Sequence, residues 1–446
     1  MALSAKMDHR DFFTYVLMGD SEVAEGSVWE AAELSAYYKL NNLIALLDCN
    51  RLGQSTEVMH DHHVQRYAEK FEAFGWKAIV INGHDMLEVM GALDKARQSQ
   101  DMPTIIIAKT LKGYGIDNVE DKPGFHGKAF STKELETILP QMKERFSAAA
   151  SFDESSFVWQ PTIPNNSEPI VTCQTIELTV AHYKMGEQVA TRKAYGTALR
   201  AAGVACHNVV ALDAEVKNST FADIFEEKFP ERFVQCFIAE QNMVSMGVGL
   251  NRRGKLPFIS TFAAFFSRAH DQIRMAAIGT SALRLCGSHA GVSIGQDGPS
   301  QMALEDIAMM RAIPNSVVFY PSDAMSTHKL VEVMANYNDG ISYLRTTRAA
   351  TPVIYDANES FPIGGCKIVR QAQDDKVCII GAGITLHEAL KAHYLLSLEG
   401  IGITVIDLYC VKPIDALTII KAANAAGDIV ITVEDHYLEG GLGQAV

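Results

Sequence analysis

The sequence lacks the features that define several large classes of protein. No apolar run approaches the ~18 residues that a membrane-spanning helix needs, and the best are short stretches such as residues 12–18. The first ten residues contain neither the apolar block nor the small-residue cleavage site of a secretory signal peptide. We therefore expect no membrane association and a cytoplasmic location.

Cysteine is scarce and shows no pairing pattern. The chain has 8 cysteines, and none belongs to a C-x-x-C motif. A chain of 446 residues is long enough to fold around its own core, whereas disulfide frameworks are typical of short secreted domains. We therefore expect the cysteines to be reduced thiols in the core.

Positive charge is also scarce. The chain has 39 lysines and arginines against 53 aspartates and glutamates, a formal net charge of -14, and no stretch gathers the cations into a stripe. This balance argues against nucleic acid as a partner. An anionic ligand would have to be held by a few local cations or by helix N-termini, against an unfavourable overall field.

Two patterns alternate along the chain. Short β-branched or apolar runs alternate with helical patterns, which is typical of parallel α/β layers. The predicted strands are 12–18, 42–48, 77–81, 104–109, 208–213, 233–238, 256–260, 283–288, 316–320, 341–345, 377–382, 403–409 and 428–435. The predicted helices are 23–39, 62–75, 85–98, 132–148, 186–202, 241–250, 262–279, 302–311, 324–336, 385–398 and 414–425.

The alternation lapses between residues 147 and 184, where Ser, Pro, Asn and Glu occur without a sustained period. We interpret this stretch as a linker. The length of the chain indicates about three domains. The first strand begins near the first residue, and residues 439–446 read as a loop entering an uncompleted helix. We therefore expect the first and last domains to be incomplete.

A candidate metal and diphosphate site follows the first two strands. Asp20 lies directly after a strand and before a helix, and Asn50 ends the next strand. Ligands of α/β sheets bind at the carboxyl ends of parallel strands, and carboxylate and amide oxygens suit Mg²⁺ or Ca²⁺. The helix N-terminus offers N–H groups to a diphosphate. For an isolated motif of this kind, an Asp N-cap and a turn Asn are the commoner explanation.

Longer segments carry a resemblance to a known family. A G-D-G motif followed about 26 residues later by Asn is the thiamine diphosphate fingerprint, and this chain has a close variant of it. The sequence resembles transketolase in GDSEVAEGSVWEA, LLDCNRLGQS, FHGK, ATRKAYG, KNSTF, IAEQNM, STFAAFFSRAHDQIR, GSHAGVSIGQDGPSQMALED, YPSD, LRTTR and VEDHYLEGGLG. These segments occur in order along essentially the whole chain.

The resemblance implies three consecutive α/β domains with parallel sheets. Residues 1–148 correspond to the C-terminal part of a diphosphate-binding domain, 149–184 to a linker, 185–355 to a pyrimidine-binding domain and 356–446 to a truncated C-terminal domain. It also implies that the cofactor is thiamine diphosphate held through Mg²⁺ (or Ca²⁺). Transketolases carry a long stretch ahead of the position that matches Met1, and this stretch has no counterpart here.

The cofactor contacts are implied by matching positions. Asp20, Asn50 and the main-chain carbonyl of Leu52 match the metal ligands. Ser21 replaces a family glycine, and its Cβ would crowd the diphosphate if the backbone needs a positive φ. Glu240 matches the glutamate that bonds the aminopyrimidine ring and shifts it towards the form that deprotonates the thiazolium carbon.

Further positions match residues around the cofactor. Phe265 matches a ring packed against the aminopyrimidine, with Phe262 nearby, although the i, i+3, i+4 spacing of Phe262, Phe265 and Phe266 is also typical of a core stripe. Gln301 matches another cofactor contact. His126 and Lys112 match residues that line the channel for cofactor and substrate. A neutral histidine there could move protons.

The resemblance also implies phosphorylated sugars as substrates. The matching contacts are Arg192, His289 and Arg345 as cations, Ser219 as a hydroxyl donor and Asp297 as an acceptor for a sugar hydroxyl. Arginine suits phosphate because its planar fork donates two parallel hydrogen bonds.

The expected function is transfer of a two-carbon ketol unit from a ketose phosphate to an aldose phosphate, in the pentose phosphate pathway. The family pattern implies a homodimer with each active site between subunits, and Glu25 and Glu30 match acids that link the two sites. One alternative is a catalytically impaired transketolase-like protein that acts by dimerisation or ligand binding. Another is a related thiamine enzyme such as deoxyxylulose-phosphate synthase, but KNSTF and TRKAYG favour transketolase.

Overall fold

The computed structural model describes residues 1–147, 175–371 and 374–446. It divides into two compact units, with the division after residue 169. The predicted linker 149–184 lies outside the described residues except for 175–184, which contain no helix or strand.

The first unit contains a four-stranded parallel sheet with the order β1-β2-β4-β3. Its strands are β1 (Thr14–Gly19), β2 (Leu43–Cys49), β3 (Lys77–Asn82) and β4 (Thr104–Lys109). Its helices are α1 (Ala2–Met7), α2 (Gly26–Tyr37), α3 (Val64–Ala73), α4 (Met86–Arg97) and α5 (Thr132–Ser147).

Alternation along the central strands places core side chains on both faces of this sheet. Leu47 and Ile107 pack in one cluster with helix α3, whereas Ile44 and Ile106 pack in another with helix α4. Strands buried on both faces read as continuous apolar runs, which explains why β2 and β4 were predicted well. The parallel register brings the carboxyl ends of the four strands to one edge.

The second unit contains a seven-stranded sheet with the order β16-β10-β11-β9-β8-β6-β7. Its strands are β6 (Val209–Asp213), β7 (Phe233–Gln235), β8 (Leu256–Phe262), β9 (Arg284–Ser288), β10 (Val317–Phe319), β11 (Ser342–Arg345) and β16 (Cys410–Lys412). Its helices are α6 (Thr191–Ala205), α7 (Lys217–Thr220), α8 (Asp223–Lys228), α9 (Glu240–Asn251), α10 (His270–Ile278), α11 (Asp306–Arg311) and α12 (Ala324–Asn336). A short antiparallel ribbon joins β5 (Gln188–Ala190) to β12 (Ala350–Pro352).

A further four-stranded sheet follows in the same unit, with the order β13-β15-β14-β17. Its strands are β13 (Lys367–Arg370), β14 (Cys378–Gly381), β15 (Thr404–Asp407) and β17 (Val430–Val433), and its helices are α13 (Ile384–Leu398), α14 (Ala416–Ala425) and α15 (Leu442–Ala445). The edge strands β13 and β16 are antiparallel to their neighbours, whereas the other pairs of the two large sheets are parallel.

Some predicted elements are wrong in extent. The predicted helix 262–279 starts as an α-helix only at His270, because β8 pairs with β9 as far as Phe262 and residues Ala263–Ala269 form a 3-10 turn. The predicted strand 403–409 is too long, since β15 ends at Asp407, and the next strand, β16 (Cys410–Lys412), which joins the other sheet, was not predicted. The predicted helix 302–311 begins only at Asp306, and helices α1, α7 and α8 were not predicted.

The cysteines depart from the expectation of reduced thiols at one position. Cys206 is disulfide-bonded, so the expectation of reduced thiols is wrong at that position. Cys49, Cys236, Cys286 and Cys378 are buried free thiols, as expected.

Among the described residues, no helix is both long enough and apolar enough to cross a membrane.

Candidate active site

Asp20 and the loop after β2 meet at the carboxyl edge of the first sheet. Asp20 follows β1 directly and is only 4% exposed. Its Oδ2 accepts a hydrogen bond from the Arg51 N–H at 2.7 Å. Because Arg51 lies between Asn50 and Leu52, this bond brings together the three residues that were predicted to hold a metal.

Asp48 orients the predicted amide ligand. Asn50 donates from Nδ2 to Asp48 Oδ2 at 3.1 Å, and its Oδ1 accepts from the Leu52 N–H at 3.2 Å. The Thr110 hydroxyl also donates to Asp48. The amide is therefore fixed from both ends by groups of the same strand edge.

The electrostatics of this edge favour a cation. Burial raises the pKa of Asp20, and the negative charge of Asp48 raises it further, although the bond from Arg51 opposes both. Lys112 Nζ donates to the Leu52 carbonyl at 2.6 Å, so one cation already contacts a predicted ligand. No group of three His, Cys, Asp or Glu side chains suited to a metal occurs among residues 1–147, 175–371 and 374–446. A carboxylate, an amide and a main-chain carbonyl nevertheless form a hard-oxygen set that fits Mg²⁺ or Ca²⁺.

The serine that replaces a family glycine is not strained. Ser21 has φ −69° and ψ −32°, in the right-handed helical region. The crowding expected for a positive φ therefore does not arise. A Cβ built on Gly53 would lie 3.0 Å from Ser21 Oγ, so the hydroxyl lies against the loop that carries the predicted metal ligands.

Two histidines lie close to Lys112. Lys112 Nζ contacts His126 Nδ1 at 3.3 Å. His84 was missed by sequence reasoning, although it follows β3 closely at the same edge. Its Nε2 accepts from the Leu111 N–H at 2.8 Å, and its ring stacks on Tyr114 at 3.7 Å.

Some of these residues border a cavity of about 540 Å³ at the strand edge, although Asp20, Leu52 and His126 do not line it. Asp48, Asn50, His84 and Lys112 contribute its polar lining, and the remainder is largely apolar. An apolar pocket with a few convergent polar groups is the usual form of a small-molecule site. The first unit therefore presents a coherent candidate site for a metal-bound diphosphate.

In the second unit, Glu240 has an unusual environment. It is the first residue of α9 and is 3% exposed. Its Oε2 lies 3.4 Å from Arg268 Nε, yet this oxygen has no hydrogen-bond partner within the described part of the chain. A buried carboxylate oxygen without a donor is costly, which fits a ligand N–H at this position.

Aromatic rings form a flat surface after β8. Phe262 stacks with Phe265 at a centroid distance of 5.2 Å and with His289 at 4.0 Å. Phe266, in contrast, is fully buried and contacts Tyr343 edge-on at 6.3 Å. The three rings do not form a helical core stripe, because the segment is a strand end and a 3-10 turn. Phe266 and Phe262 are both buried, at 0% and 8% exposure, whereas Phe265 is half-buried.

Within the described chain, Arg192 makes one side-chain hydrogen bond and leaves another donor unused. It is the second residue of α6, and its Nη1 donates to the Ser219 carbonyl at 2.9 Å. Its guanidinium lies 5.1 Å from the centre of the Phe221 ring. Its Nε is buried without a hydrogen-bond partner among the residues that the structure describes.

His289 is held neutral beside two arginines. Its Nδ1 lies 2.9 Å from Ser288 Oγ. Burial lowers the pKa of His289 to about 4, and the positive charges of Arg192 and Arg348 lower it further against the opposing charge of Asp297. The same burial and Arg348 also lower the pKa of Arg192. Three nitrogen-bearing side chains therefore share one region of excess positive potential.

Arg348 is the residue that sequence reasoning missed here. Its Nη1 donates to Asp297 Oδ2 at 3.1 Å and to the Ile294 carbonyl at 3.1 Å. Asp297, predicted to accept from a sugar hydroxyl, thus forms an ion pair with it. The only signal in the sequence was the second arginine of the LRTTR segment.

Arg345 corrects an expectation. It is completely buried, its Nε lies 3.0 Å from Asp306 Oδ2, and its Nη1 lies 2.7 Å from Asp435 Oδ1. Its Nη2 donates to two main-chain carbonyls. Because every guanidinium nitrogen is occupied, the predicted contact of Arg345 with a sugar phosphate is wrong, and its role is structural.

The remaining predicted residues have simpler surroundings. Ser219 lies half-buried on α7 and offers its carbonyl to Arg192. Gln301 ends a 3-10 turn, and its N–H donates to the Gly298 carbonyl at 3.2 Å. Glu25 caps α2 by accepting from the Ser27 N–H. The ligand contacts of Ser219 and Gln301, and the coupling role of Glu25 and Glu30, stay predictions.

Comparison with family models gives matches along most of the chain. Residues 4–160 match the thiamine diphosphate binding domain of transketolase, 187–353 match its pyrimidine binding domain, and 364–446 match its C-terminal domain.

Comparison with whole proteins agrees. The chain is 48% identical to transketolase of Homo sapiens over 449 aligned residues, which cover 100% of this chain and 70% of the human protein. It is 48% identical to transketolase-like protein 2 of Mus musculus, with the same coverage. It is 47% identical to transketolase-like protein 1 of Bos taurus, covering 74% of that protein.

Solved structures have the same fold. A transketolase of Campylobacter jejuni has a TM-score of 0.80 at 22% identity, covering 98% of this chain and 74% of that one. A transketolase of Pichia stipitis in complex with sedoheptulose 7-phosphate has a TM-score of 0.72 at 19% identity, covering 98% and 72%. A split-gene transketolase described as an inactive β4 tetramer has a TM-score of 0.53 at 37% identity, covering 58% and 84%.

Proposed function

Because this chain belongs to the transketolase family, we propose that it is a thiamine diphosphate-dependent enzyme that transfers a two-carbon ketol unit. The donor is a ketose phosphate and the acceptor is an aldose phosphate, as in the pentose phosphate pathway. When bound, thiamine diphosphate supplies the nucleophilic carbon that breaks and re-forms the carbon–carbon bond of the sugar.

The observation that carries this proposal is the unpartnered oxygen of Glu240. A carboxylate that is buried at a helix start, without a donor on its Oε2, is suited to accept a hydrogen bond from a nitrogen of the pyrimidine ring. The stacked rings of Phe262 and Phe265 offer an apolar face to the same kind of heterocycle. Glu240 would thus orient the ring and control the position of its proton.

At the other end of the cofactor, we propose that Asp20, Asn50 and the Leu52 carbonyl hold Mg²⁺ (or Ca²⁺). The convergence of these oxygens through Arg51 supports this assignment. Lys112, already bonded to the Leu52 carbonyl, would add positive charge beside the diphosphate. His126, adjacent to Lys112, would accept or donate a proton as the sugar is cleaved.

For the sugar phosphate, we propose Arg192 and Arg348 as the main ligands. Arg192 Nε is buried and has no hydrogen-bond partner among the described residues. Burial and the charges of two arginines lower the pKa of His289, in a chain whose formal net charge is -14. Such a local excess of positive charge suits a phosphate. Neutral His289 would add a hydrogen bond rather than a charge. Phosphorylated ketoses, such as the sedoheptulose 7-phosphate bound to the Pichia stipitis transketolase, are the proposed donors.

The proposed assembly is a homodimer with the active sites between subunits, and the proposed location is the cytoplasm. Both follow from the family resemblance and from the sequence. The second candidate is a transketolase-like protein without catalytic activity, and the name transketolase-like protein, which several relatives carry, is consistent with it.

One experiment separates the two candidates. Thiamine diphosphate and Mg²⁺ are added to the purified chain, and the melting temperature and the circular-dichroism band of the bound cofactor are recorded. A ligand that binds the folded state raises the melting temperature by linkage. The expected result is a rise that needs both additions, followed by turnover of a ketose phosphate with an aldose phosphate. Binding without turnover favours the non-catalytic candidate, and no response to either addition contradicts the proposed function.

A further inference from the structure

The turn that follows β6, residues 214–221, contacts Arg192 in two places. The Ser219 carbonyl accepts from Arg192 Nη1 at 2.9 Å, and the Phe221 ring lies against the guanidinium. Two residues of the turn, Glu215 and Phe221, have positive φ angles of 66° and 61°. A bulky side chain rarely adopts this conformation, so other contacts must stabilise the turn.

The buried carboxylate of Asp213 provides those contacts. Asp213 ends β6 and is 0% exposed. Its Oδ1 accepts from the Val216 N–H at 2.7 Å, and its Oδ2 accepts from the Thr220 hydroxyl at 2.8 Å. One carboxylate therefore binds both ends of helix α7.

Such a carboxylate is costly to bury. Burial raises the pKa of Asp213 to about 7, with opposing contributions from the bonds to Thr220 and Val216 and from the charge of Lys217, while Asp223 raises the pKa further. None of these groups pairs with Asp213 as a direct counter-ion in the described residues. A buried acid of this kind is retained more readily where its hydrogen bonds fix a geometry that function needs.

Helix α6 contacts the same turn from the other side. Gly196 lies four residues after Arg192, about one helical turn away on the same face. A Cβ at Gly196 would lie 2.2 Å from the Phe221 carbonyl oxygen. The turn is thus held between Asp213 and the helix that carries Arg192, with no space for a larger side chain.

We propose that Asp213 is a positioning residue, which holds the turn 214–221 so that Ser219 and Phe221 keep the Arg192 guanidinium directed at the phosphate of the sugar substrate. This inference rests on the proposed function, because it takes Arg192 as a phosphate ligand. Asp213 acts through Arg192 and does not itself contact the sugar.

The test compares Asp213→Asn with Asp223→Asn in the full chain. Both variants replace a carboxylate by an amide of the same shape, but only the first removes an oxygen that accepts a hydrogen bond from the turn. Fructose 6-phosphate and thiamine diphosphate are titrated separately by calorimetry. We expect Asp213→Asn to bind fructose 6-phosphate about tenfold more weakly, because a displaced Arg192 loses a charge-assisted hydrogen bond to the phosphate. Its affinity for thiamine diphosphate should be unchanged. Asp223→Asn should match the unmodified chain for both ligands.

A double variant tests whether the effect passes through Arg192. If Asp213 acts only by positioning that arginine, Arg192→Ala/Asp213→Asn binds fructose 6-phosphate no more weakly than Arg192→Ala alone. Three results would overturn the inference. Asp213→Asn could lose affinity equally for both ligands, it could keep its affinity for fructose 6-phosphate, or the losses of affinity could add in the double variant. Failure of the unmodified chain to bind fructose 6-phosphate would instead overturn the proposed function, and this inference with it.

Two further changes keep the test decisive if Asp213→Asn does not fold. Thr220→Val removes the hydroxyl that donates to Asp213, whereas Thr220→Ser keeps it. Gly196→Ala pushes the turn from the opposite side. Thr220→Val and Gly196→Ala should each weaken fructose 6-phosphate binding selectively, and Thr220→Ser should restore it. Normal binding by folded Thr220→Val would contradict the role proposed for Asp213.

Discussion

Arg345 and Arg348 lie three residues apart in the sequence and have opposite environments. Arg345 is completely buried, and two aspartates and two main-chain carbonyls occupy its guanidinium. Arg348 is partly exposed, with a single, partly exposed aspartate as its ion-pair partner. A fully satisfied buried arginine stabilises the fold, whereas an arginine with remaining capacity beside other cations can bind an anion. The surroundings, and not the residue type, decide which role applies.

The largest expected effect comes from replacing the buried arginine of this pair. Arg345→Met keeps the volume but leaves Asp306 and Asp435 buried without a counter-ion, which should cost about 3–5 kcal/mol of unfolding free energy. Arg348→Met, the matched control, should change this free energy by less than about 1 kcal/mol because its ion pair is partly exposed. Urea denaturation measures both. Equal stability of the two variants would show that the Arg345 network is not structural.

The next effect concerns Glu240 and catalysis. Glu240→Gln keeps the shape of the side chain but removes its charge, so turnover with a ketose phosphate donor should fall about a hundredfold. The melting temperature should change little, because the nearby Arg268 is 54% exposed and a pair of this kind contributes little. Glu227→Gln, an exposed glutamate on α8, is the control and should keep full turnover. A Glu240→Gln variant with normal turnover would remove Glu240 from the mechanism.

A smaller effect tests the anion-binding side of the comparison. Arg192→Ala and Arg348→Ala should each weaken fructose 6-phosphate binding by about 1.5–3 kcal/mol, the usual contribution of a hydrogen bond to a charged group. The affinity for thiamine diphosphate should be unchanged in both. Calorimetric titration gives the dissociation constants for fructose 6-phosphate and for thiamine diphosphate. If only Arg348→Ala weakens binding, Arg192 is not a phosphate ligand.

The smallest effect at neutral pH concerns His289. Its pKa in the folded chain is about 4, below the ordinary value of about 6.5 in an unfolded chain. Between these values the unfolded state binds more protons, so the stabilising contribution of His289 is complete above about pH 6.5 and is lost as the pH falls towards 4. The stability difference between the unmodified chain and His289→Gln should therefore grow with pH over this window and stay constant from pH 7 to 8. Urea denaturation at several pH values checks this, and a titration of His289 near neutral pH by NMR would contradict it.

The sequence predicted local elements well where local signals suffice. Helix α12 was predicted with its observed bounds, and the structure shows that Asp323 and Ser326 form a capping box at its start. Strands β2 and β4 were predicted because their apolar runs are buried on both faces. The edge that carries Asp20 and Asn50 followed from the rule for parallel sheets.

The failures have one physical cause, which is dependence on distant residues. Asp306 and Asp435 decide the role of Arg345, and they lie 39 and 90 positions away, so no local pattern separates Arg345 from Arg348. Strand β16 was not predicted because it forms only by pairing with β10 of the other sheet, about 90 positions earlier in the chain. The role of Asp213 likewise depends on the approach of Gly196 to Phe221.

The most direct test of the account is a crystal structure of the chain grown with thiamine diphosphate and Mg²⁺. We predict one metal ion bound by Asp20, Asn50 and the Leu52 carbonyl, and a pyrimidine nitrogen within hydrogen-bond distance of a Glu240 carboxylate oxygen. A structure with the cofactor bound elsewhere, or with Glu240 Oε2 still without a donor beside a bound cofactor, would contradict it.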